Sequence, residues 1–200
     1  MTKKILSPLA LGAVLALTGS NYALADSQYG YTTGSGSITA NANVKLSVSV
    51  PKLILLRVGS TNTTIDTASW TSTFSIPGVP TAPVAGSGAS VDWNGSPPTA
   101  TVTPANNTLT VYAWTNANSG TINCTAPVMA PTGGPVNADF TVTVTGSLPH
   151  PGGNLGACTS TSFNSNIVAT GTWQYVLGGT PANWKAGSYA TTVTYTATGV

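Results

Sequence analysis

The side chains able to do chemistry in this 200-residue chain are few and scattered. The single histidine, His150, stands between Pro149 and Pro151, beside Gly152 and Gly153. A general base needs a partner that positions it. A histidine clamped by prolines in a loop reads instead as a solvated side chain. The acids are Asp26, Asp66, Asp92 and Asp139, with no glutamate, and no two lie close in sequence or share an evident strand face. A glycosidase pair is therefore thinly supplied. Serine and threonine are too abundant for any one of them to signal a nucleophile, and no glycine-rich loop opens onto a helix. Cys124 and Cys158 are the only cysteines. They lack the further ligands of a zinc site. The chain reads as no enzyme, with no cofactor and no metal.

The start of the chain gives those cysteines a compartment. Lys3 and Lys4 precede an apolar stretch over residues 6–17, and Ala23-Leu24-Ala25 ends it in a small-x-small pattern. That is the layout of a secretory signal peptide over residues 1–25, cut after Ala25. The stretch is too short for a membrane anchor, which needs about 20 apolar residues. Two cysteines in an exported chain most simply form one disulfide, Cys124–Cys158. Closing that loop of ~35 residues is worth about 4 kcal/mol on the chain-entropy model.

Composition then bounds the partners. Charged residues make up 5% of the chain, and beyond residue 25 four basic residues face four aspartates. Nothing there forms a basic patch for nucleic acid or a polybasic run for anionic lipid. Solubility falls to hydroxyls and amides, and threonine alone supplies 34 residues. Threonine and valine favour pleated, half-buried surface, whereas strong helix formers are nearly missing. No later segment reads as a membrane-spanning helix.

One segment stands out for its order. Over residues 38–50, Ile38, Ala40, Ala42, Val44, Leu46, Val48 and Val50 alternate with polar residues without a break, and Pro51 ends the run. A period of two places all seven on one face of an extended strand. Thirteen residues reach about 43 Å at ~3.3 Å each. A domain of this size is only about 40 Å across. The strand must therefore bend between sheets or leave its own domain to complete a neighbour's sheet.

The rest reads as short strands punctuated by turns. Leu53, Ile54, Leu55 and Leu56 form an apolar run expected to be a strand buried on both faces. Alternation over residues 65–76 follows. Shorter strands come around Val91 and Trp93, residues 100–102, 109–113 and 122–124. Further strands follow around residues 140–144, 167–175 and 189–197, with Pro/Gly loops between. About nine strands and no helices predict an all-β, antiparallel, immunoglobulin-like β-sandwich over residues 51–200, with residues 26–50 as an N-terminal extension. Of the five tryptophans, Trp70, Trp93, Trp114 and Trp173 read as core or sheet-face residues. Trp184, in a Pro/Gly loop, is a possible glycan contact.

Residues 42–59, Ala-Asn-Val-Lys-Leu-Ser-Val-Ser-Val-Pro-Lys-Leu-Ile-Leu-Leu-Arg-Val-Gly, resemble the start of bacterial fimbrial major subunits of the chaperone–usher class, nearest the alpha type. Residues 186–195 resemble the last strand of exported pilin-like sandwiches. The resemblance covers about 30 residues and implies a fold that lacks its final strand. A periplasmic chaperone first fills the open groove, and the N-terminal strand of the next subunit then replaces it. By that implication Ile38, Ala40, Ala42, Val44, Leu46, Val48 and Val50 supply the donor strand, and Pro51 is the hinge. Leu53, Ile54, Leu55 and Leu56 begin the acceptor domain. The partners are other copies or related subunits, the chaperone and an outer-membrane usher, and the destination is the cell surface by way of the periplasm. The chain departs from the pattern in its extension over residues 26–37 and in the late position of its cysteines. A rival expectation is a self-contained secreted sandwich that binds glycans or surfaces. A third is a small outer-membrane β-barrel, although Thr198-Gly199-Val200 lacks the terminal aromatic usual there.

Overall fold

Alternation along one strand shows how the chain folds. In β6 (Thr108–Thr115) Val111, Ala113 and Thr115 are buried, while Tyr112 between them is exposed. The same rule holds in β10 (Ala169–Leu177), where Ala169, Trp173 and Tyr175 point inward. These assignments come from a computed structural model, which describes residues 26–61 and 63–200. The expected signal peptide lies outside the described residues.

The chain divides into two units, Met1–Val50 and Pro51–Val200. In the first, the described residues 26–50 are exposed throughout, and none belongs to a strand. Asn43 donates to the Asp26 carboxylate at 3.1 Å, the longest-range side-chain hydrogen bond within this stretch.

The second unit is all-β and antiparallel. A four-stranded sheet runs in the order β1 (Ile54–Val58), β6, β10, β8 (Phe140–Gly146). A three-stranded sheet runs β11 (Thr194–Gly199), β7 (Gly120–Thr125), β9 (Thr161–Phe163). Two pairs complete the unit, β2 (Ser69–Ser75) with β5 (Thr99–Ala105) and β3 (Gly78–Val79) with β4 (Asp92–Trp93). The only helical pieces among the described residues are single 3-10 turns at Asn137–Asp139 and Pro181–Asn183.

The core forms where the inner faces of the two larger sheets meet. Val111, Phe140 and Trp173 from one sheet cluster with Ile122 and Phe163 from the other. Trp173 is fully buried, and its indole N–H donates to the Leu148 carbonyl at 3.1 Å, so the one polar atom of the ring is satisfied. Gly120 sits under the Phe163 ring, where an added Cβ would fall 2.3 Å from the ring edge. Only glycine lets that ring pack so closely. The disulfide Cys124–Cys158 is formed, with Cα atoms 5.3 Å apart, and ties β7 to the loop before β9.

Two expectations need correction. The apolar run 53–56 is not buried on both faces. It opens an edge strand: Ile54 and Leu56 face in, while Leu53 and Leu55 are more than half exposed. A continuous apolar run cannot distinguish a central strand from an edge strand that presents one side to a partner. His150, expected to be solvated, is 7% exposed. Its loop folds inward because the ring finds hydrogen bonds and aromatic neighbours there. Trp93, expected in the core or on a sheet face, lies on the two-residue strand β4 and is more than half exposed.

Candidate functional site

Three strand ends leave their outer edges open. Among the described residues β1 and β11 each terminate a sheet, and β2 pairs only with β5. Where they converge lies a groove of about 1030 Å³. Its apolar lining includes Leu56 and Val58 of β1, Leu109 of β6, Leu177 of β10 and Trp70 of β2. The segment leading into β11 forms one wall. Tyr189, Thr191, Val193, Tyr195 and Ala197 alternate as its half-buried positions. Ala190 holds that lead-in to Ala130 by a two-way backbone bridge of 2.9 and 3.1 Å, and the Thr191 hydroxyl donates to the Pro127 carbonyl. The wall is therefore extended and anchored along one edge.

Beneath the groove runs a buried polar chain. The Nδ1 of His150 lies 2.6 Å from the Gly152 carbonyl. A carbonyl only accepts, so Nδ1 carries the proton and Nε2 is the acceptor. Nε2 takes the Tyr195 hydroxyl at 2.8 Å, and Tyr195 in turn takes the Tyr175 hydroxyl at 2.8 Å. Burial pushes His150 below its ordinary value, only partly opposed by its bond to Gly152. Burial raises both tyrosines, and for Tyr195 the adjacent Tyr175 adds to the rise. All three groups are thus held neutral near pH 7. The Trp173 ring meets His150 edge-on at 4.8 Å. This chain of hydroxyls gives the groove a rigid, uncharged floor, because Tyr175 and Tyr195 both line it.

The sequence-derived residues fall as follows. Ile38, Val44, Leu46, Val48 and Val50 are all large apolar side chains exposed by 51–86%. Ala40 and Ala42 are exposed as well. The polar residues between them are exposed too, and among the described residues none of 38–50 belongs to a strand. The carbonyl of Pro51, the expected hinge, accepts the side-chain amide of Asn116 at 2.7 Å. Trp184 is half-buried at the groove, after the Pro181–Asn183 turn. His150, Tyr175 and Asn116 were invisible as partners in the sequence. Tyr175 and Tyr195 had the right inward parity, but a Pro-His-Pro loop offers no sign that it folds inward. Among the described residues no group of three His, Cys, Asp or Glu side chains could hold a metal ion. No described helix is long and apolar enough to cross a membrane.

No protein-family model matches the chain, and no curated protein or solved structure matches it either.

Proposed function

We propose that the protein is an exported structural subunit of a surface fimbria or related adhesive polymer, assembled by donor-strand exchange. In that assembly residues 38–50 of one copy enter the groove of the next, whose fold is an immunoglobulin-like sandwich short of one strand. A periplasmic chaperone occupies the groove in transit, and an outer-membrane usher orders the exchange.

One pairing of features carries this reading. The segment with the most regular alternation in the chain has its apolar side chains exposed, and the second unit has an apolar groove flanked by strands whose outer edges pair with no other strand among the described residues. Strand addition satisfies both, since main-chain hydrogen bonds supply affinity and alternate side chains fill pockets. Exposed strand edges and apolar faces are otherwise aggregation hazards that proteins cover. The near-absence of charge along residues 38–50, where Lys45 is the single charged side chain, removes the usual guard against such pairing.

The test is uptake of a labelled synthetic peptide of residues 38–50 by the full chain. Expected results are saturable binding, competition with self-assembly, and chain ladders that resist boiling in detergent. Absence of saturable uptake, together with a strictly monomeric chain at high concentration, refutes the reading.

A further inference from the structure

The outer face of the four-stranded sheet is not uniform. Over much of it the outward positions are hydroxyls, Thr108 and Thr110 on β6, Thr170 and Thr172 on β10, and Thr143 and Thr145 on β8, with Val176 on β10 a single apolar exception. The chain, poor in charge, keeps its strands soluble this way. At one corner the pattern breaks. Leu55 pairs with Trp114 across β1 and β6, and Val168, just before β10, lies on the other side of Trp114. With Leu53 and Tyr112 these line a shallow apolar depression of about 630 Å³. Leu53, Leu55 and Val168 are each more than half exposed. Beside them the Arg57 guanidinium lies 4.2 Å from the centroid of the Tyr112 ring, and its Nε is buried without an acceptor.

The second unit begins at Pro51, beside this corner, and its first residues are held tightly. Asn116 acts as a clamp. Its side-chain oxygen accepts the Leu53 N–H at 2.7 Å, and its side-chain nitrogen donates to the Pro51 carbonyl at 2.7 Å. The Leu53 carbonyl also accepts the Thr115 hydroxyl at 2.9 Å and the Asn116 N–H at 3.3 Å. Residues 51–53 are fixed by four hydrogen bonds, so the position from which the chain departs is fixed too.

We infer that the corner formed by Leu53, Leu55, Tyr112, Trp114 and Val168 is a second docking surface, occupied by the copy that takes up residues 38–50. The inference rests on the strand-exchange reading. Val50, the last donor residue, is three residues from Leu53, a tether of at most about 10 Å. A copy that holds Val50 in its groove is thereby confined beside the clamped corner. Contact at this face buries the exposed leucines and Trp114, an anchor of the kind that dominates interfaces. The Asn116 clamp thus serves as a positioning device, converting a flexible tether into a defined angle between neighbours.

The experiment compares the full natural chain with the double variant Leu53→Thr, Leu55→Thr, which extends the threonine pattern over the corner. Both leucines are exposed, so circular dichroism and thermal midpoint are expected to match. Uptake of the labelled 38–50 peptide is also expected to match, because the groove is untouched. Polymers of the variant are expected to dissociate about tenfold faster. A second variant, Asn116→Ala, is expected to leave peptide uptake intact while broadening the distribution of angles between adjacent subunits in electron micrographs. Dissociation of the leucine variant at the natural rate, with peptide uptake normal, overturns this inference and leaves strand exchange standing. If the natural chain takes up no peptide, strand exchange falls and this inference falls with it.

Discussion

Leu46 gives the sharpest prediction, because it is 86% exposed and is the one leucine of the alternating segment. Replacing an exposed side chain ordinarily changes stability by no more than about 0.5 kcal/mol. Leu46→Ala is therefore expected to leave the thermal midpoint of the monomer unchanged. In an acceptor groove the same side chain is buried, and a buried leucine is worth about 1.5–3 kcal/mol relative to exposure. Alanine retains a minor part of that, so a loss of about 2 kcal/mol is expected. At 1.4 kcal/mol per factor of ten, this is roughly a 30-fold weaker hold on the donor strand. The assay is competition of Leu46→Ala and natural 38–50 peptides for the full chain, with Ser47→Ala as the control on the opposite face. Ser47→Ala should compete almost as well as the natural peptide. Two results refute the reasoning. One is a Leu46→Ala chain destabilised by a kcal/mol or more, which means the residue supports its own fold. The other is equal loss from Ser47→Ala, which means the face, and with it the alternation argument, is irrelevant to binding.

Two further outcomes follow from the second unit. Breaking the disulfide with Cys124→Ser, Cys158→Ser frees a loop whose ends are 34 residues apart in sequence, and should lower unfolding free energy by about 4 kcal/mol on the chain-entropy model; denaturant titration of the two proteins reads this directly, and an unchanged midpoint contradicts it. His150 is held below its ordinary value of 6.5 in the fold, so the unfolded chain takes up a proton there first as pH falls. Stability is accordingly full above the ordinary histidine range and declines as pH drops through it toward the lowered folded value, and His150→Gln should flatten that slope; a stability profile whose slope across this window is the same in both proteins removes His150 from the account.

Parity along a strand is a local property, and where it decides the outcome the sequence is a sufficient guide. The inward set Val111, Ala113, Ala169, Trp173 and Tyr175 follows from period-two alternation, whereas Ile167, on the same parity, lies before β10 and is exposed. The all-β class follows from a chain rich in threonine and valine and free of glutamate. The Cys124–Cys158 bond follows from there being two cysteines and no more. For residues 38–50 the sequence supplies an unbroken alternation, and the described residues there form no strand.

What stayed hidden depends on distance through space rather than along the chain. Leu55 looks like a core residue until β1 is seen to pack only one face against the core, which leaves Leu55 on the uncovered outer face, paired with Trp114. His150 looks solvated until the loop places its ring between the Gly152 carbonyl and a tyrosine 45 residues away. Asn116 carries no signal in the sequence, yet its amide stands in for a strand partner to Pro51 and Leu53, more than 60 residues earlier. Local patterning sets which way a side chain points, because neighbouring peptide planes alternate. Only the tertiary arrangement sets what it meets there, because sheet order and open edges are fixed by pairings between segments far apart in the chain.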